Sequence, residues 1–161
     1  SCMMGNSDFK VPDYEPMAHA ISGRVAKKIS KRFPQAQAIA QGGGMVDCVR
    51  LLVLTFYIKG PVYTEEARKI LLTSIQYYLD EINSDEKIRK YLVEYPFSLK
   101  GIDLRFLVHM DYEEMRKTNC LASFSVICGQ LRYKKVDEQD MLYYELEETF
   151  EEAQEKLKAQ Q

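Results

Sequence analysis

No tryptophan occurs in the 161 residues, and histidine occurs only at His19 and His109. Neither falls in an H-x-x-x-H or H-E-x-x-H spacing. The pair His109 and Asp111 offers two ligands where a zinc site needs three or four, so no metal is expected. Long apolar runs are missing as well: Leu51 to Ile58, interrupted by Thr55, falls far short of the ~20 residues that span a bilayer as a helix. No apolar secretory core precedes the body, and the chain starts at Ser1, which favours a truncated or processed product. Four cysteines, without a C-x-x-C pair, are too few for a disulfide scaffold. Neither sign of charge prevails: 22 basic against 24 acidic residues give −2, so nothing draws the chain as a whole to nucleic acid.

Catalytic and cofactor motifs are also absent. There is no G-x-S-x-G turn to raise a serine nucleophile. The run Gly42-Gly43-Gly44 opens onto an apolar segment and lacks the Lys of a phosphate loop, so no nucleotide cofactor is expected. These glycines predict a sharp turn or a close backbone approach, with N–H groups free to meet a peptide or an anion.

What is present describes a globular domain. Hydrophobic residues at 46% and charged residues at 29% suffice to build a core in a chain of this length. Residues 1 to 16, with Pro12 and Pro16 and few aliphatics, read as a tail, and residues 17 to 161 as one α+β domain.

Periodicity assigns the elements. Met17, Ile21, Val25, Ile29 and Phe33 recur every four residues and predict a helix ended by Pro34. Val46 to Ile58 is apolar on both faces and reads as a long strand stopped at Gly60-Pro61. Thr64 is the expected N-cap of a helix through Ile82, and Ser84 of a short third helix through Leu92. Ile102 to Met110 alternates as a strand with one wet face. A polar connection follows to Asn119. The third strand runs through Cys120 and Cys128, about 26 Å apart if both lie on it and unable to bridge, so any bridge within the body needs Cys48. The parity of apolar residues switches at Gly129, which predicts a β-bulge. Leu142, Leu146, Phe150, Ala153 and Leu157 predict a last, acidic helix. The expected order is α-β-α-α-β-β-α, a three-stranded, largely antiparallel sheet with helices on one face.

Charge placement is the strongest clue to a surface. The first helix carries Arg24, Lys27, Lys28, Lys31 and Arg32, whereas the C-terminal segment is rich in Glu. Opposite fields on two helices either meet within the monomer or serve a partner. The basic helix, 17–33, could lie on anionic lipid as a peripheral membrane contact, where each cation contributes about 1 kcal/mol. A homodimer joining basic and acidic helices is a further alternative. Asp47 and Arg50 flank the start of the apolar strand, where ions need a partner, and form a candidate binding site with the three glycines. Were the chain an enzyme, a hydrolase or transferase with residues assembled only in space, Cys48, Asp47, Arg50 and His109 would be the first suspects. Cys2, after a small residue and before a polar stretch, fits the acylated cysteine of a lipoprotein.

At Gly42-Gly43-Gly44-Met45-Val46-Asp47 through Phe56, at Thr64-Glu65-Glu66-Ala67-Arg68 and at Tyr95-Pro96-Phe97, the chain resembles a family of uncharacterised exported lipoproteins from bacteria that live inside host cells. The resemblance implies an exported α+β domain without catalytic residues. The leading expectation is therefore a non-enzymatic binding domain at the cell envelope, with an unknown protein or peptide as partner and without nucleic acid. A cytoplasmic location is the alternative.

Overall fold

The computed structural model describes residues 14–161. Helix α1 (Tyr14–Arg32) leads into a hairpin of β1 (Ala36–Gly44) and β2 (Leu51–Lys59), and α2 (Thr64–Ser84) follows. Two short 3-10 turns connect it to β3 (Ile102–His109), then come α3 (Tyr112–Thr118), β4 (Ser123–Ile127), β5 (Gln130–Val136), β6 (Leu142–Thr149) and α4 (Phe150–Ala159). The strands form one six-stranded sheet in chain order. Every neighbouring pair is antiparallel except β2 and β3, whose parallel pairing follows from the α2 crossover between them.

Helices α1, α2 and α4 pack on one face of the sheet. That face is apolar because alternate residues of each strand turn towards it: Leu52, Leu54, Phe56 and Ile58 on β2 and Leu104 and Phe106 on β3 are all buried. Register aligns Phe56, Phe106, Phe124 and Tyr133 in one row across four strands. The three phenyl rings stack at 4.8 and 4.9 Å between centroids, so one cross-strand ladder forms the middle of the core.

The α+β class holds, but the three-stranded sheet and the α-β-α-α-β-β-α order do not. Gly42 to Gly44, expected as a sharp turn, end an edge strand that runs from Ala36; Ala, Gln and Gly have little β propensity, and pairing with β2 supplies the missing drive. Residues 142–149, expected as helix, form β6, since Lys134, Arg132 and Tyr133 of β5 offer both ladder bonds and side-chain partners. Helix begins only at Phe150, where Thr149 and Glu152 make a reciprocal capping box.

The switch of parity at Gly129 is a chain reversal rather than a bulge. Cys128 and Gly129, at φ 52° and 77°, form a two-residue hairpin turn, so Cys120 and Cys128 do not share a strand. The long strand starts at Leu51, not Val46. The polar connection holds α3, capped by Asp111, whose carboxylate accepts from the Glu114 N–H at 2.8 Å. Helix α2 lacks a side-chain cap, since Thr64 is already helical. The expected third helix is one 3-10 turn, Arg89–Tyr91, ordered by Asp85 rather than Ser84: its carboxylate accepts from the N–H groups of Lys87 and Ile88. The first helix reaches back to Tyr14, inside the segment assigned to the tail; Pro16 falls in its first turn, where a missing N–H costs nothing.

Candidate binding face of the sheet

With three helices on one side, the other side of the sheet is open. Register defines its rows. One runs Thr55, Arg105, Ser125, Arg132, Glu147 from β2 to β6, and the next runs Tyr57, Leu107, Ser123, Lys134, Tyr144. On the middle strand the outward residues are Ser123, Ser125 and, beside the turn, Ile127; the two serines are flanked by Arg105 and Leu107 on β3 and by Arg132 and Lys134 on β5. Short side chains between long ones leave a shallow trough along β4.

The trough is cationic with aromatic ends. Lys59, Arg105, Arg132 and Lys134 face outward against one exposed carboxylate, Glu147, while Asp103 on the same side is buried, in a chain whose net charge is −2. Arg105 reaches Asp103 at 3.5 Å and Arg132 reaches Glu147 at 3.4 Å, and Lys134 stands over the Tyr144 ring at 5.1 Å. Tyr57, Leu107 and Tyr144, in one row, are 46%, 39% and 54% exposed. Large aromatics beside a cation are the composition of protein-binding surfaces.

The strongest electrostatic cluster lies on the other side, inside the core. Glu148 on β6 receives Arg68 of α2 at 2.9 and 3.1 Å, Tyr133 of β5 at 2.5 Å and Lys156 of α4 at 2.9 Å. Burial would raise the Glu148 carboxyl, but the hydrogen bonds from Arg68, Tyr133 and Lys156, with the Arg68 charge, outweigh it and hold the group below its ordinary value. Burial and the Glu148 carboxylate drive the Tyr133 phenol upward. The Glu148 side chain is 0% exposed, so no substrate reaches it, and its work is to tie four elements together. The signal for it in the sequence was Arg68, a cation inside the apolar face of α2; Glu148 was hidden in a run of acids.

The candidates from the sequence are dispersed. Gly42, Gly43 and Gly44 are the last residues of β1, opposite Val53, Leu52 and Leu51, and do not make a loop. Asp47 and Arg50 pair with each other at 3.1 and 3.0 Å on the connection to β2, and the Arg50 hydrogen bonds lower the Asp47 pKa. Of the basic helix, Arg24 pairs with Glu81 and Asp85 of α2 at 3.1 and 3.2 Å and Lys28 with Glu81 at 2.5 Å. The basic face of α1 therefore meets α2, not the C-terminal acids. Lys27 and Lys31 are exposed and make no ion pair among the described residues.

Cys2 lies outside the described residues. Cys48 is fully buried and disulfide-bonded, while Cys120 and Cys128 are free. His109 ends β3 beside Lys59, whereas Asp47, Cys48 and Arg50 precede the opposite end of β2, about 26 Å away along a nine-residue strand. The suspected catalytic set is not brought together. No group of three metal-ligating side chains gathers among the described residues, and no described helix is long and apolar enough to cross a membrane. Compared with known proteins, the chain matches no family model, no curated protein and no solved structure.

Proposed function

We propose that this chain is a non-enzymatic binding domain of the cell envelope whose open sheet face receives an extended, acidic segment of a partner protein. The observation that carries the reading is the serine-floored trough on β4, walled by Arg105, Leu107, Arg132 and Lys134. An extended chain can lie over Ser123 and Ser125 between the long side chains of β3 and β5. Carboxylates answer its cationic walls, and Tyr57 and Tyr144 supply amphipathic contact at the row ends. Nucleic acid fits less well, because Glu147 stands among the cations and repels a phosphate backbone.

Export belongs to the same proposal. The disulfide at Cys48 is a bond of oxidising compartments, which supports an exported protein.

Fluorescence anisotropy with a labelled decapeptide rich in Asp, Glu and Tyr tests the binding face, with a Lys-rich peptide and a single-stranded oligonucleotide as controls. The acidic peptide binds, and the double charge reversal Arg105→Glu/Arg132→Glu weakens it by about tenfold or more, equivalent to about 1.4 kcal/mol. Equal binding to the double variant, or preference for the oligonucleotide, contradicts the reading.

A further inference from the structure

Helix α1 covers the edge strand β1 only in part. On β1, Ala38 and Gln41 lie opposite Phe56 and Leu54 and so turn to the helix side, yet both are exposed while their partners are buried. From Gln37 to Gln41 every residue of β1 is exposed, including Ile39. This edge, AQAIAQGGG, carries no charge and no proline; of the devices that ordinarily prevent edge-to-edge pairing it has only the bulge at Ile39. The opposite edge is guarded: β6 carries Glu145 and Glu147.

Beside the bare edge runs the flank of α1 that faces away from α2. Arg24 and Lys28 mark the α2 side by their ion pairs with Glu81 and Asp85. At 3.6 residues per turn, His19, Gly23, Ala26 and Ser30 fall on the opposite side. A Cβ placed on Gly23 would meet nothing within 4 Å. The chain thus presents an uncharged edge strand with one bulge beside a helix flank of small residues and His19.

We infer that this surface docks a second copy of the chain, β1 against β1 in antiparallel register about a two-fold axis, with the two α1 helices packed across it. Spacing supports this occupant. Strands repeat every ~4.8 Å and α1 lies over β1 and β2, so an axis just outside β1 places the two α1 helices about 10 Å apart, the distance at which helices pack. Charge supports it as well. A two-fold sets each surface against its own copy, so charges there would face like charges, and this strand has none. A strongly acidic or basic partner would find no counter-charge on β1. With the axis normal to the sheet, the two open faces lie on one side of a continuous twelve-stranded sheet.

Sedimentation velocity of the whole chain at high micromolar concentration tests the inference, with Gly23→Arg and Ile39→Lys as variants. Circular dichroism establishes that each variant is folded; Gly23→Arg adds its side chain where the monomer has open space and replaces a glycine inside a helix. The wild type sediments at twice the 18.7 kDa of one chain and persists in high salt, and each variant sediments as a monomer. A monomeric wild type, a dimer that dissociates as salt rises, or a dimer unchanged in both variants overturns it.

Discussion

Arg68 and Glu148, 80 residues apart in sequence, form a two-point ion pair that is almost wholly buried, at 2.9 and 3.1 Å. Removing one partner of such a pair leaves the other charged in the core, which costs about 3–5 kcal/mol. Glu148→Gln is therefore expected to lower stability by about that amount in urea unfolding. The double variant Arg68→Met/Glu148→Leu removes both charges and recovers much of the loss. A single variant as stable as the wild type would show that the pair contributes nothing.

The same carboxylate sets an acid limit. Its pKa is lowered in the folded protein relative to the usual 4.5, so its contribution is fully present above that value and is lost as the pH falls through the depressed folded one. Asp47 and Glu81, lowered by hydrogen bonds from Arg50 and from Lys28 and Arg24, act in the same direction. Stability measured below pH 5 falls with decreasing pH, and Glu148→Gln has the shallower slope. Parallel curves for the two proteins would refute the assignment.

How far the sequence reveals these features depends on whether one segment suffices. Helices α1 and α2 and strands β2, β3 and β4 have periodic apolar faces and are legible locally. β1 is not, because AQAIAQGGG lacks β-branched and aromatic residues apart from Ile39 and is a strand only through β2. In β6 the spacing Leu142, Leu146, Phe150 satisfies a helix while the chain pairs with β5, so tertiary pairing overrides period. The binding trough exists only after register sets Arg105, Ser125 and Arg132 side by side. The basic patch on α1 was legible as composition, but Glu81 and Asp85 pair with two of its five cations from another element.

Ser22 of α1 and Tyr78 of α2 share a hydrogen bond between buried hydroxyls, an isolated polar contact in the helix interface. Tyr78→Phe leaves the Ser22 hydroxyl without this partner and costs about 1–3 kcal/mol. Ser22→Ala/Tyr78→Phe removes both groups and is expected to lie closer to the wild type than the sum of the single changes. Strict additivity in the double-mutant cycle would mean that the two hydroxyls do not interact.

The hairpin between β4 and β5 places positive φ on both turn residues, at 52° for Cys128 and 77° for Gly129. Ala at Gly129 meets no atom within 4 Å, so its cost is conformational alone, about 1–2 kcal/mol. Cys128→Asn gives the Asn-Gly pair that this turn prefers and raises stability by up to about 1 kcal/mol. Thermal melts with opposite shifts for the two variants are the expected result; a neutral Gly129→Ala would mean a different turn.

The cysteines differ in reach, and their chemistry bears on how the protein is held. Cys128 is exposed and should react with a thiol reagent in the native protein, whereas Cys120, buried beneath Leu121, reacts only on opening. Cys48 gives no thiol until a reductant is added, since it is disulfide-bonded. Lipid attachment converts a cysteine thiol to a thioether, so an acylated Cys2 has no sulfur left to share. Peptide mass spectrometry of the unreduced protein from its native host therefore decides between two products. A diacylglyceryl mass on the Cys2 peptide supports anchoring and, with Cys120 and Cys128 free, requires a partner for Cys48 from outside this chain, while a peptide linking Cys2 to Cys48 eliminates the lipid anchor and leaves the exported, oxidised domain intact.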